Sequence, residues 1–239
     1  MKIAFFSDIH ANLPALEAVL ADIDRQKPDM VYCLGDLVGY NIWPNEVIAE
    51  IRKRSIPTIM GNHDEALLFP MDAQDQTNKG ITRRLTSIDN QKYLTQLPRN
   101  IALSFNEQGN KVSLLMVHGS MKAIDDYLTE DYPEQEVLTM METTDILLCG
   151  HTHKPYHRII PVGTAYKHVI NIGSVGKPKD GDPRACYVMM ELDASLSTTN
   201  SNSIEVTFMR VKYDVEKAAK AVEGSQLPND YAEALRLAR

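Results

Sequence analysis

Apolar residues fall in short runs that alternate with helically spaced stretches. Lys2 to Phe6 is a run of strand length, and Leu13, Leu16, Val19, Leu20 and Ile23 then recur at helical spacing until Lys27-Pro28 ends the pattern. Residues 30–34 read as a second strand, 44–54 as a helix with proline near its first turn, and 56–60 as a third strand. Two consecutive βαβ units imply parallel pairing with right-handed crossovers. Residues 70–79 are polar, and Ile81, Leu85, Ile88 and Leu97 mark one face of a helix over 81–97. Residues 70–97 therefore read as a cap-like helical insertion.

Strands resume at 101–105 and 112–117, joined by the turn-forming Asn106-Glu107-Gln108-Gly109-Asn110, so pairing becomes antiparallel there. A helix over 134–141 precedes strand-like runs at 146–149, 158–161, 166–172, 185–192 and 204–211. The Ser/Thr/Asn tract at 195–203 reads as a hairpin loop because strands flank it closely. Helical stretches at 215–222 and 229–237, broken by Gly224 and Pro228, read as an amphipathic cover, with a homo-oligomer interface as the alternative. One domain over residues 1–239 is the expectation.

Composition narrows the class. The chain has 239 residues, 25 Lys+Arg against 32 Asp+Glu, 44% hydrophobic and 24% charged residues, which removes disordered, collagen-like and disulfide-scaffold proteins. No apolar run approaches the roughly 20 residues of a membrane span, and Ser7-Asp8 comes too early for a secretory leader. The cytoplasm is the expected compartment. Cys33, Cys149 and Cys186 lack metal-knuckle spacing, lie in apolar stretches and read as buried thiols. A net charge of −7 disfavours a nucleic-acid polymer as partner but leaves room for a local cationic site that holds one phosphate.

Polar residues collect where strands end. Asp8 and His10 follow the first strand, Gly35-Asp36 the second, and Gly61-Asn62-His63-Asp64 the third; His118-Gly119 and Gly150-His151-Thr152-His153 add two more strand ends. Ligands of α/β sheets bind beyond the carboxyl ends of strands, so these segments converge. Of the seven histidines, only His157 and His168 lie elsewhere. A carboxylate–imidazole set without thiolate selects a borderline or hard divalent ion. With this many ligands two ions are plausible, and a pair about 3.5–4 Å apart generates hydroxide near neutral pH and stabilises both charged oxygens of an in-line displacement. Phosphoester hydrolysis fits that chemistry.

In this order, Asp8-x-His10, Gly35-Asp36, Gly61-Asn62-His63-Asp64, His118 and Gly150-His151-Thr152-His153 resemble the motifs of calcineurin-like metallophosphoesterases. Ser7-Asp8-Ile9-His10-Ala11-Asn12, Gly35-Asp36-Leu37-Val38-Gly39-Tyr40 and the segment Asn171-Ile172-Gly173-Ser174-Val175-Gly176 are similar to the small prokaryotic phosphodiesterase branch. The resemblance implies an α/β fold, a four-layer αββα sandwich of two mixed β-sheets flanked by helices. It also implies two divalent transition-metal ions, drawn from Mn, Fe, Zn, Co or Ni. Asp8, His10, Asp36 and His153 would hold one ion; Asp36, Asn62, His118 and His151 would hold the other. His63 would protonate the leaving oxygen as general acid, with Asp64 orienting its ring.

Gly39-Tyr40 replaces the Asp-Arg that protein phosphatases and diadenosine tetraphosphatases carry at this point, which favours a small phosphodiester or nucleotide substrate. A phosphomonoesterase or nuclease of the same fold, or a non-catalytic protein-binding scaffold, are the alternatives. Asn12 reads as a helix N-cap or a phosphate contact, and Tyr40 and Trp43 as core packing or a base-stacking surface. Arg184 or a nearby lysine in the polar turn Lys177-Pro178-Lys179-Asp180-Gly181-Asp182-Pro183-Arg184 is a candidate phosphate contact.

Overall fold

The computed structural model describes residues 1–107 and 109–239, Glu107 through its backbone alone. In chain order the elements are β1 (Lys2–Phe6), α1 (Leu13–Gln26), β2 (Met30–Cys33), α2 (Pro44–Lys53), α3 (Asn62–Ala66), α4 (Asn78–Leu85), α5 (Ile88–Leu94), β3 (Asn100–Glu107) and β4 (Asn110–Val117). They continue with α6 (Glu134–Met140), β5 (Ile146–Cys149), β6 (Tyr156–Val162), β7 (Ala165–Asn171), β8 (Ala185–Leu192), β9 (Ile204–Val211), α7 (Val215–Glu223) and α8 (Asp230–Leu237).

The two-residue period of a strand builds the layers. Along β1, Ala4 and Phe6 face α1 and α2, whereas Ile3 and Phe5 face the opposite sheet. Along β5, Ile146 and Leu148 join Ile3 and Phe5 in the central layer, and Leu147 and Cys149 pack outward with Val137 of α6. The first sheet has the order β2-β1-β8-β9, parallel only between β1 and β2. The second has the order β3-β4-β5-β7-β6, parallel at β4/β5 and β5/β7 and antiparallel at its two edges. Two mixed sheets thus meet face to face with helices outside, as the sequence resemblance implies. On α1, Leu16, Val19, Leu20 and Ile23 are all buried, and each such side chain contributes about 1.5–3 kcal/mol of apolar burial.

Local chemistry overrides the periodic reading in two places. Residues 56–60 form a single parallel bridge, Cys33 to Thr58, instead of a third strand. Pro57 has no N–H to offer a ladder, and the Met60 N–H turns to the Pro98 carbonyl. The helix expected over 81–97 is two helices, because Thr86 leaves helical geometry and Ser87 caps α5 by accepting from the Asn90 N–H. Ile88 is consequently 65% exposed, and of the expected stripe Ile81 alone is fully buried. This segment lies against α2 through Asn45, which donates to the Leu85 carbonyl and accepts from Ser87 and Asn90. The expected turn at 106–110 includes Gln108, which lies outside the described residues, although β3 and β4 do pair antiparallel. The three cysteines are buried free thiols.

The tail packs over α1 and α4. Ala218, Ala219 and Val222 of α7 and Ala232 and Leu235 of α8 form one apolar cluster with Ile81, against which Trp43 packs. Trp43, half-buried, packs against this cluster, in keeping with the packing role among its two expected ones. Among the described residues no helix is long and apolar enough to cross a membrane.

Candidate metal centre

Sheet order brings distant strand ends to one place. The loops after β1, β2, β4 and β5 and the start of α3 converge, and Asp8, His10, Asp36, His118, His151 and His153 are all buried there. Five of these six, Asp8, His10, Asp36, His151 and His153, have left-handed φ angles between 49° and 63°. That region costs an L-residue of the order of 1–2 kcal/mol, so this clustering marks a site where side-chain aim outweighs backbone ease. Gly61 is required by close approach: a Cβ there would stand 2.1 Å from Asp36 Oδ1.

The side chains form two adjoining groups. In one, the ligand atoms of Asp8, His10 and His153 lie within 4.8 Å of one another; in the other, those of Asp36, His118 and His151 do. Asp36 Oδ2 lies 3.6 Å from His10 Nε2 and 3.3 Å from His118 Nε2, so it stands between the groups. Asn62 Oδ1 is 3.1 Å from His118 Nε2. A ring nitrogen of His63 also falls within 4.8 Å of ligand atoms of Asp36 and His10.

Backbone contacts aim each group. His10, His118 and His153 place Nδ1 at 3.1, 2.7 and 2.5 Å from the carbonyls of Val38, Leu34 and Lys177. Donation from Nδ1 leaves Nε2 toward the cage, the second-contact pattern of metal-binding histidines. Asp8 Oδ2 accepts the His151 N–H and Asp36 Oδ1 the His63 N–H, leaving one oxygen of each aspartate free. Those free atoms, Asp8 Oδ1 and Asp36 Oδ2, together with His151 Nε2, are buried without a hydrogen-bond partner. Orphaned polar atoms are costly, and an oxygen–nitrogen set of this kind fits one or two divalent cations. These buried Asp/His groups are able to bind metal.

The electrostatics agree. Burial pushes the Asp8 and Asp36 carboxyls up, but neighbouring imidazoles, His153 and His118 for Asp8 and His118 and His63 for Asp36, hold both below the usual range. Burial lowers His10, His63 and His151. His118 goes the other way: against burial, Asp36 and Asp8 raise it from 6.5 to about 10. The metal-free protein thus carries an imidazolium at neutral pH, stabilising below the unfolded value and lost as pH rises through about 10. Coordination needs neutral imidazole, so metal binding should tighten from pH 6 to 9 and expel on the order of one proton at pH 7. Calorimetry in buffers of different ionisation enthalpy measures that release; its absence would show that His118 is neutral or uninvolved.

Other expected residues sit differently. Asp64 does not orient the His63 ring: its carboxylate accepts backbone N–H groups from Leu37, Val38 and Gly61 and ties the two loops together. Burial and then the Asp36 charge push it up to about 7, opposed by those N–H donors. The His63 ring lies 4.7 Å from Tyr40 and 5.0 Å from His10, its nitrogens without hydrogen bonds among the described residues. Gly39 makes room for it, since a Cβ there would lie 2.8 Å from His63 Nδ1.

Asn12 is fully buried and engaged: it caps α1 through the Ala15 N–H and donates to the Gly176 carbonyl and the Tyr213 hydroxyl, which removes it as a phosphate contact. Arg184 is exposed and closes a bidentate pair with Asp182, and among the described residues it makes no hydrogen bond or ion pair with a cage residue. Lysines of the same turn come closer. Lys177 lies 5.0 Å over the Tyr40 ring, pulled down to about 8 by burial and Lys179. Lys179 is lowered by burial against the opposing pull of Asp8 and Asp36. The segment after β7 acts as scaffold: Asn171 donates to Gly150 O and Thr152 Oγ1, and Ser174 to Asp8 O. Sequence reasoning missed Tyr127, whose ring is 4.4 Å from His151, and the three carbonyls that aim the histidines, which leave no side-chain signal.

Residues 1–195 match the calcineurin-like phosphoesterase superfamily domain. The chain is 32% identical to the uncharacterised protein MJ0912 of Methanocaldococcus jannaschii, over 99% of this chain and 98% of that one. It is 27% identical to the phosphodiesterase YfcE of Escherichia coli K12, over 85% and 95% of the two chains. A crystal structure of a metallophosphoesterase from Sphaerobacter thermophilus superimposes with a TM-score of 0.79 at 28% identity, covering 100% of this chain and 99% of that one. The match over most of the chain, joined to the two buried Asp/His groups at the strand ends, shows that the chain belongs to the calcineurin-like phosphoesterase superfamily and is related to the YfcE-type small phosphodiesterases.

Proposed function

We propose that this chain is a binuclear-metal-dependent phosphodiesterase acting on small phosphodiesters or nucleotides. The observation that carries the reading is the pair of adjoining Asp/His groups with Asp36 between them and three orphaned buried atoms in the cage. Asp8, His10, Asp36 and His153 hold one ion in this reading, and Asp36, Asn62, His118 and His151 the other. Two divalent ions there supply Lewis-acid stabilisation of phosphoryl oxygens and a lowered pKa for water. The similarity to a protein named as a phosphodiesterase supports a diester over a monoester.

The chain's own residues do the rest. His63, whose ring nitrogens have no hydrogen bond among the described residues and whose ring packs beside Gly39, Tyr40 and His10, gives its proton to the departing ester oxygen. Lys177 and Lys179 add positive charge beside the cage where an anionic substrate arrives. The burial of the ligand set limits bulk water and strengthens these interactions. The test is turnover of bis(p-nitrophenyl) phosphate by Mn²⁺-loaded protein, expected to exceed that of p-nitrophenyl phosphate. No turnover with any first-row divalent ion, in a folded protein, refutes the enzyme reading; a preference for the monoester refutes the diester part.

A further inference from the structure

Tyr127 is 55% exposed, yet its ring centroid lies only 4.4 Å from that of His151. It belongs to the loop between β4 and α6. Both flanking residues are pinned: the Asp126 carboxylate accepts the Ser120 hydroxyl, and Leu128 is buried, its carbonyl accepting the Tyr156 hydroxyl at 2.9 Å. The backbone is thus fixed while the ring projects. A tyrosine has two side-chain torsions, so ordering it against a ligand costs little entropy.

The two tyrosines at the cage differ in what remains free. Tyr40, beside His10 and His63, already has Tyr231 edge-on at 5.0 Å and the Lys177 ammonium 5.0 Å from its centroid. Its ring is a wall with its neighbours in place. Tyr127 has the single ring contact with His151, and among the described residues no cation over it and no hydrogen bond to its hydroxyl. Thr129 and Glu130 of the same loop help line a neighbouring cavity with Thr152 and Lys154, but Tyr127 and the cage side chains are not part of that lining.

We propose that Tyr127 is a specificity-determining residue: a planar aromatic group on the substrate, an aryl ring or a nucleobase, stacks on its free face while the phosphoryl group sits at the Asp/His cage. This rests on the phosphoesterase reading and names its substrate class. Stacking of a base on an aromatic side chain is commonly worth about tenfold or more in affinity.

The experiment titrates Mn²⁺-loaded protein calorimetrically with methylphosphonate, phenylphosphonate and the methylenephosphonate analogue of AMP, whose C–P bonds resist hydrolysis. The wild type should bind at least one aromatic ligand about tenfold or more tighter than methylphosphonate. The phenyl arm winning identifies aryl esters and the AMP-analogue arm nucleotides; either supports the proposal. Tyr127→Ala should erase that advantage while methylphosphonate affinity and metal content stay within about threefold, and Tyr127→Phe should keep it, because stacking needs the ring and not the hydroxyl. Methylphosphonate binding with no aromatic advantage, or an advantage unchanged in Tyr127→Ala, overturns the proposal and leaves the phosphoesterase reading standing. Failure of methylphosphonate itself to bind, with bis(p-nitrophenyl) phosphate inert, removes both.

Discussion

Asp36→Ala is expected to abolish hydrolysis and metal binding together. Its free oxygen lies 3.6 Å from His10 and 3.3 Å from His118, so it faces both groups and is nearer to each than Asp8 Oδ1, at 3.7 and 3.9 Å. Loss of a residue that merely orients a ligand lowers metal affinity or activity by about 10–100-fold. A shared ligand should exceed that, with activity down by more than about 10³-fold and metal content below one ion per chain. The alanine also loses the acceptor for the His63 N–H and sits at φ 53°, which asparagine tolerates better. Asp36→Asn is therefore the cleaner variant: it should keep the fold while losing the charge. Metal analysis of the folded Asn variant is the deciding measurement, and two retained ions would show that Asp36 bridges nothing.

His63→Ala should separate chemistry from metal. The ring makes no hydrogen bond among the described residues and touches Tyr40 and His10 only by ring contacts, so its removal leaves the carbonyl-aimed histidines undisturbed. Metal content should stay at the wild-type level while kcat falls by roughly 10²–10⁴-fold, the range of a general acid. A leaving group that needs no proton tests the assignment further. The deficit should shrink for p-nitrophenyl esters and grow for alkyl esters of high leaving-group pKa. Metal loss in the variant would instead make His63 a ligand, which its distance to Asp36 and His10 allows.

Short-range rules read the layers well and failed where one backbone group chose a distant partner. The apolar run over 2–6 and the helical spacing of Leu16, Val19 and Ile23 predict a strand and an amphipathic helix, and both form, because burial of apolar area is a property of the local pattern. The same rules overextended the strand at 56–60 and the helix at 81–97. There Met60 bonds Pro98, and Ser87 takes a capping role that an apolar stripe cannot reveal. The family resemblance implies that Asp64 orients His63, yet its oxygens meet N–H groups from a loop 26 and 27 residues away. By charge Arg184 reads as a phosphate contact, but in the structure its guanidinium pairs with Asp182 two residues earlier.

What the sequence determined by itself is the chemical inventory and its rough placement: carboxylates and imidazoles after strands, no thiolate among them, in the order of a known superfamily. Side-chain identity and periodicity carry that information locally. Tertiary structure alone decided which of those groups share a cage, which nitrogen each histidine turns inward, and which polar atoms are left without partners. It also decided that Tyr127, unremarkable as a loop residue, stands against His151. These depend on backbone carbonyls and strained left-handed turns brought together by sheet order, and such contacts have no signature until residues far apart in the chain are packed against one another.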